Sequence, residues 1–289
     1  MKLLEYQGKK LFKKYGVPIG KNVLISAASK TYNLPTITYP IVLKSQVPVG
    51  ERKHAGGVIV QKNKKSLKQN IKTLFNKPIH GHIPKHILIE EFTTATAQWY
   101  VSFSYSTDTR TPVLLISKDG GKPLTEAHAI PINLIWGITD FTLRAELKKI
   151  GIPYSSGLKT IIKNLWKLFN DEHALVAEIN PLFVCDNDAS TPHLSTGSNN
   201  PGKGAGFIAG DAKIILDDNV HDPSYRPMLE LGGDIAILAS GGGASLTNLD
   251  ALMRHGGKPM NYVEYSGNPK ADVVEALTKK VLSRPDIKG

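Results

Sequence analysis

Ala174-Leu175-Val176-Ala177-Glu178-Ile179-Asn180-Pro181 reads as a buried strand that ends on an acid, an amide and a proline. Small and branched apolar residues predict the strand, and Asn180-Pro181 predicts its break. Alternate side chains of a strand share a face, so Glu178 and Asn180 point the same way. Asp211 lies on the next predicted strand, residues 207–216, and can face them. A carboxylate, an amide and a second carboxylate on adjacent strands suit a hard cation such as Mg²⁺. That ion takes one or two oxygen ligands from protein and the rest from phosphates and water. Strand-end acids are also common and usually solvated, so spacing alone leaves both readings open.

Leu4, Leu11, Phe12 and Tyr15 recur at helical spacing, with Gly16 closing the helix. Residues 22–26 and 41–45 read as strands. Gly50 to Gly57 is a glycine-punctuated turn holding Arg52, Lys53 and His54, followed by a strand at 58–60 and a helix at 64–76. Residues 86–91 form a buried strand ending in Glu90-Glu91. Residues 98–106 and 112–117 make an antiparallel hairpin through Thr107-Asp108-Thr109-Arg110. Helices are expected at 142–150 and 156–170. Asn187 to Gly206 is rich in Ser, Asn, Gly and Pro and reads as a loop or insertion.

A second unit begins near Asp234: strand 234–239, glycine turn 241–243, helix 245–255, strand 261–265, helix 270–283. This order reads as the start of a doubly wound α/β sheet. It reaches Gly289 where a further strand is expected, so the second unit reads as truncated or completed from elsewhere. The expected division is residues 1–230 and 231–289.

The 289 residues carry 36 Lys+Arg against 25 Asp+Glu, a net charge of +11. The excess sits at one end: residues 1–89 hold 17 Lys/Arg and only Glu5 and Glu51, a balance of +15, leaving −4 for the rest. Such a region favours polyanionic partners, although Lys62, Lys64, Lys65, Lys68 and Lys72 also suit a plain solvated face. Aromatic residues are not interleaved with the basic run, which argues against nucleic acid. No run of eighteen apolar residues exists, so no transmembrane helix is expected. One cysteine, Cys185, excludes an internal disulfide framework and a cysteine-based zinc cluster, and a reducing, cytoplasmic setting is expected.

No Gly-x-x-x-x-Gly-Lys-Ser/Thr or His-Glu-x-x-His occurs. Lys44 ends an apolar strand and can neutralise a phosphate as a point charge, or snorkel from an edge strand. Gly50 and Gly56-Gly57 can bring backbone N–H groups to a phosphate, and a hairpin turn explains them equally well.

The order of these segments resembles the β-subunit of succinyl-CoA synthetase, an ATP-grasp nucleotide domain followed by a flavodoxin-like CoA-ligase domain. The matching stretches are Leu4-Glu5-Tyr6-Gln7-Gly8-Lys9-Lys10-Leu11-Phe12, Tyr15-Gly16-Val17-Pro18, Val42-Leu43-Lys44-Ser45-Gln46-Val47 and His54-Ala55-Gly56-Gly57-Val58. To these are added Ile87-Leu88-Ile89-Glu90, Glu178-Ile179-Asn180-Pro181 and Asp211-Ala212-Lys213. The resemblance implies an α/β chain that binds Mg²⁺ and ATP/ADP or GTP/GDP. It implies exchange of a phosphoryl group with a phosphohistidine on an α-subunit, with coenzyme A reached through that partner in a hetero-oligomer.

It further implies that Lys44 contacts the phosphates and that Gly50, Glu51 and Arg52 belong to the loop covering them. Glu90 and Thr93 would receive adenine. Gln98 stands where the family has a glutamate on the nucleotide. Asn180 and Asp211 match the Mg²⁺ ligands, and Glu178 the residue that holds the partner's phosphohistidine. In the second unit, Ala239-Ser240-Gly241-Gly242-Gly243-Ala244-Ser245 and Glu264-Tyr265-Ser266-Gly267-Asn268-Pro269 look more like ATP-citrate lyase, which puts Ser266 and Gly267 at the carboxylic acid. A citrate-lyase-type subunit and a non-catalytic nucleotide-binding relative are the alternatives.

Overall fold

A computed structural model describes residues 1–29, 37–121, 126–185, 206–221, 228–265, 267–284 and 287–289. The predicted loop at 187–206 and Ser266 therefore fall outside the described residues, apart from Gly206. The chain forms two compact units, Met1–Asp217 and Asp218–Gly289.

The first unit opens with helix α1 (Glu5–Lys14). Its buried positions are Glu5, Gly8, Lys9 and Phe12, one helical face. Sequence spacing placed the apolar face on Leu4, Leu11, Phe12 and Tyr15. Only Phe12 belongs to both sets, because two charged residues here face inward. The Gln7 side chain accepts from the Leu4 N–H at 2.8 Å, closing the helix start. The preceding residues are pinned too: the Leu3 N–H donates to the Ile214 carbonyl at 3.0 Å.

A four-stranded antiparallel sheet follows in the order β1-β4-β2-β3. Its strands are β1 (Asn22–Ser26), β2 (Ile41–Gln46), β3 (Val58–Gln61) and β4 (His86–Glu91). Helix α2 (Leu67–Asn76) packs Leu67, Ile71 and Leu74 onto Ile41, Leu43, Ile87 and Ile89. Odd positions of β2 thus face this core, and Lys44 and Gln46 fall on the opposite face.

The second sheet has β5 (Ala97–Ser106), β6 (Thr111–Ser117), β7 (His128–Pro131), β8 (Ala174–Cys185), β9 (Gly206–Ala209) and β10 (Lys213–Leu216). Its order is β10-β8-β5-β6-β7, with β9 also on β8. Helices α3 (Asp140–Lys149) and α4 (Ser156–Asp171) supply Leu143, Leu147, Leu158, Ile162, Leu165 and Phe169 to its core. Thr139 and Ser155 accept from Thr142 and Leu158 N–H at the two helix starts.

Strand β8 differs from expectation: it runs through Asn180-Pro181 to Cys185. The register beside it slips between Trp99 and Val101, with Trp99 opposite Leu182 and Val101 opposite Ile179. Asn180 and Pro181 therefore share a bulge facing Tyr100, where a residue lacking an N–H does not interrupt the ladder. The predicted single strand at 207–216 is two strands, β9 and β10, parted at 210–212.

The second unit holds helix α5 (Asp218–His221), strands β11 (Leu229–Glu230) and β12 (Ala239–Ser240), helix α6 (Gly242–Arg254), strands β13 (Asn261–Tyr262) and β14 (Glu264–Tyr265), and helix α7 (Ala271–Leu282). The order β12-α6-β14 with β12 and β14 parallel is a βαβ step, while β11 and β13 pair antiparallel. Its strands are shorter than the sequence suggests: at 234–238 an isolated bridge from Ile235 to Pro259 stands in place of a strand.

Candidate functional site

Three carboxylates and three cations meet where α1, β2, β4 and the β9–β10 link converge. Glu5 is the centre. Its Oε1 accepts from Lys44 Nζ at 2.8 Å and lies 3.2 Å from Lys9 Nζ. Its Oε2 lies 2.8 Å from Arg52 Nη2. Lys44 Nζ also reaches Glu90 Oε2 at 2.5 Å and the Gly210 carbonyl at 2.6 Å. Lys9 Nζ bonds Glu90 Oε1 at 2.5 Å and the same Gly210 carbonyl at 3.0 Å. Arg52 Nη2 bonds Asp211 Oδ2 at 2.9 Å, and Nη1 the Ser45 carbonyl at 3.1 Å.

Local sequence explains this gathering. Gly8 lets α1 sit directly on the β9–β10 link, since a Cβ there would stand 3.0 Å from Ala212 Cβ. That close approach carries Lys9 to the Gly210 carbonyl. Lys44 and Glu90 follow from the sheet, where β2 and β4 pair with Lys44 opposite Leu88 and Val42 opposite Glu90. In the Gly50–Gly57 loop, Glu51 has φ of 53° and is exposed, which turns the next residue, Arg52, inward.

The electrostatics follow from enclosure. Burial favours a neutral Glu5, but Lys44, Lys9 and Arg52 outweigh it and hold the carboxyl well below the usual range. Burial likewise opposes the charged Lys44, and Glu5, Glu90 and Asp211 raise it well above an ordinary lysine. Asp211 is shifted up, first by its enclosure and then by Glu5, with Arg52, Lys44 and Lys9 pulling against this. Its side chain is still 39% exposed, so its tie to Arg52 is screened on one side.

Asn180 and Asp211 belong to one stretch of ladder. Leu182 opposes Ala209 on β9 and Glu178 opposes Lys213 on β10, so Asn180 falls opposite Asp211 in the gap. Asn180 Oδ1 accepts from the Gly121 N–H at 2.7 Å, and Asp211 Oδ1 from the Ala212 N–H at 2.7 Å. A carboxylate has about four lone-pair sites and an amide oxygen two. Two hard oxygens from opposing positions are a donor set that fits Mg²⁺ completed by phosphate and water. Among the described residues no group of three or more His, Cys, Asp or Glu is placed to hold a metal by itself.

Glu178 stands apart from the six-membered network. Its Oε2 accepts from Tyr100 Oη at 3.3 Å and from Lys213 Nζ at 3.0 Å. Burial and the Glu178 carboxylate push the Tyr100 phenol up to about 12.

The structure thus brings together Lys44, Arg52, Glu90 and Asp211, and sets Asn180 across from Asp211. Gly50 and Glu51 are exposed, with open space around Gly50. His54 is exposed as well. Thr93 is half-buried just past β4, and Gln98 is exposed on β5. Gly267 is exposed in the second unit.

Sequence reading assigned no role to Glu5 or Lys9. Their i, i+4 spacing on the inward face of α1 was the available signal. It also passed over Gly121, which has φ of 77° and where a Cβ would lie 2.3 Å from Gln98 Oε1. Gly121 leaves room for the Gln98 side chain and gives its N–H to Asn180 Oδ1.

A family model described as the ATP-grasp domain matches residues 2–184. A second, described as the ATP citrate lyase citrate-binding domain, matches residues 212–288. The ADP-forming succinate–CoA ligase subunit beta of Methanocaldococcus jannaschii is 29% identical over 316 residues, spanning 100% of this chain and 81% of that protein. The GDP-forming subunit beta of Thermus thermophilus is 28% identical over 321 residues, spanning 100% and 80%. Among solved structures, ATP citrate lyase from Methanothrix soehngenii, in complex with citrate and coenzyme A, aligns with a TM-score of 0.67 at 19% identity. It covers 98% of this chain and 76% of that one. PH1788 from Pyrococcus horikoshii aligns with a TM-score of 0.56 at 18% identity, covering 75% and 92%. At these identities the solved structures establish a shared fold.

Proposed function

We propose a function for this chain, which belongs to the ATP-grasp family, from its charged site: it is the β-subunit-like component of a nucleotide-dependent acid–CoA ligase. Its first unit binds a Mg²⁺-nucleotide, ATP/ADP or GTP/GDP, and exchanges a phosphoryl group with a histidine on a partner α-subunit. The convergence of Lys44, Arg52, Glu90 and Asp211 on one buried network carries this reading. Three stretches far apart in sequence, residues 44–52, 90 and 211, supply groups suited to phosphate, base and metal at one place.

Lys44 and Arg52 offset phosphate charge, Lys44 as a compact ammonium and Arg52 as a planar fork. Gly50 and Glu51 belong to the same covering loop. Glu90, Thr93 and Gln98 line the nucleoside side. Asn180 and Asp211 hold Mg²⁺, which when bound neutralises phosphate charge. The Arg52 contact to Asp211 opens as the fork turns to phosphate. Glu178 accepts a hydrogen bond from the incoming imidazole and orients it, with Tyr100 and Lys213 holding the carboxylate still. Catalysis of this kind is positioning and charge neutralisation.

Coenzyme A is reached through the partner. The exposed turn at Leu134, Ile135 and Trp136 (71, 83 and 76% exposed) is apolar surface of the sort that contacts other chains, which supports an oligomer. No helix among the described residues is long and apolar enough to cross a membrane. With succinate as the acid, the enzyme serves the tricarboxylic acid cycle in the cytoplasm. The citrate-binding match over residues 212–288 favours a second reading, with citrate held near Ser266-Gly267.

The test uses the full chain with a supplied α-subunit. Glu178→Gln is expected to bind Mg²⁺-ADP like the wild type and to stop phosphoryl transfer. Normal transfer by that variant removes Glu178 from the mechanism. Nucleotide release with succinate or citrate plus coenzyme A separates the two acids.

A further inference from the structure

Glu5 serves no purpose in the reading above, yet it is the carboxylate that Lys44 and Arg52 share among the described ion pairs. Its side chain is 1% exposed. Both of its oxygens are filled. Oε1 takes Lys44 and Lys9, and Oε2 takes Arg52 and, at 3.4 Å, Gln46 Nε2. These partners come from α1, from β2 and from the loop after it. The carboxylate stands in the first turn of α1, where the helix dipole favours an anion. The helix itself is fixed against the β9–β10 link by Gly8 and by the Leu3 bond to Ile214.

We propose that Glu5 is a positioning residue for nucleotide phosphates, holding Lys44 and Arg52 on its two oxygens so that both meet the phosphates together. This rests on the nucleotide-binding reading. Lys and Arg carry the largest rotamer freedom of any side chains, and the free loop would let Arg52 swing into water. Two cations this close also repel. One buried carboxylate between them removes both obstacles before the nucleotide arrives, which is preorganisation. Glu90 and Asp211 do not fill this role. Glu90 pairs with Lys44 and Lys9, and Asp211 with Arg52, so each holds one of the two phosphate-facing cations. Glu5 never touches the nucleotide and acts through its neighbours. A purely structural ion cluster would instead affect every ligand of the site alike.

The experiment compares Mg²⁺-ADP with adenosine by calorimetry on the full chain. The wild type should bind Mg²⁺-ADP; absence of binding removes the nucleotide reading itself and this role with it. Glu5→Gln keeps the shape and removes the charge. Its affinity for Mg²⁺-ADP should fall by about tenfold or more, the worth of a charge-assisted hydrogen bond, with adenosine affinity held within about twofold. Glu5→Asp keeps the charge and should recover most of the loss. Equal losses for ADP and adenosine, or no loss for either, overturn the proposal while leaving nucleotide binding in place. Should Glu5→Gln not fold, Glu5→Asp carries the comparison: the small loss left by a carboxylate one methylene further back should fall on Mg²⁺-ADP and not on adenosine, and an equal loss for both overturns the proposal.

Discussion

Lys9 is 2% exposed, and its ammonium has three oxygens within reach, from Glu90, Gly210 and Glu5. Removing one partner of a buried pair leaves uncompensated charge and typically costs about 3–5 kcal/mol. Lys9→Met should therefore lose about that much in urea unfolding, and a loss below about 1 kcal/mol would show the cluster to be effectively solvated. Glu5 sets a pH dependence with a definite sign. Its folded carboxyl titrates below the ordinary value of about 4.3. Its contribution is thus complete above that value and is lost as pH falls toward the folded value. Asp211, raised, contributes in the opposite sense, but its partial exposure weakens it. Melting temperature should hold from pH 7 to about 5 and drop below about 4. In Glu5→Gln that acid limb should flatten, and superimposable limbs would assign the acid sensitivity elsewhere.

Helix α1 shows how an element can be legible while its orientation is not. Periodicity finds the helix, because Leu4, Leu11, Phe12 and Tyr15 repeat at its spacing. It cannot say that Glu5 and Lys9 turn inward, since a charged residue counts as solvent-facing until its partners are known, and apart from each other these lie 39 residues or more away. Gly8 is where the seat of this helix can be tested. Gly8→Val puts branched carbon against Ala212 and Ile214, an overpacking expected to cost about 1–3 kcal/mol. It should also weaken Mg²⁺-ADP binding by lifting Glu5 and Lys9 off the network. Binding at wild-type strength would mean the network re-forms without the close approach. Strand β8 makes the complementary point. Pro181 predicts an interruption from local chemistry, and the bulge opposite Tyr100 absorbs it.

At the scale of the molecule, the two units differ in what holds them. Among the described residues the first has two apolar clusters, one around Phe103, Leu165 and Ile179 and one around Leu43, Leu74 and Ile89. The cluster of the second centres on Val263, Leu277 and Val281. Burial near 25 cal/mol per Å² makes the smaller cluster the weaker one. Thermal unfolding of the full chain should show two transitions, the second unit melting first, followed by tryptophan fluorescence for the first unit. All three tryptophans (Trp99, Trp166 and Trp136) lie in the first unit, so the earlier transition should be silent in that signal and visible in circular dichroism. A single coincident transition would show one cooperative whole.

Residue order was enough for the class of fold and most of its elements, which follow from hydrophobic period and turn residues, both of which are local. Lys44, Glu90, Glu178-Ile179-Asn180-Pro181 and Asp211 were singled out by resemblance to a family, which is also read from residue order. Which charges meet is a matter of the folded chain. Glu5, Lys9, Lys44, Arg52, Glu90 and Asp211 span more than two hundred positions of chain, and their pairing depends on a helix seated by Gly8 and a strand parted at Gly210. Coulomb attraction acts through space, with strength set by distance and enclosure, and neither is written in the residue order.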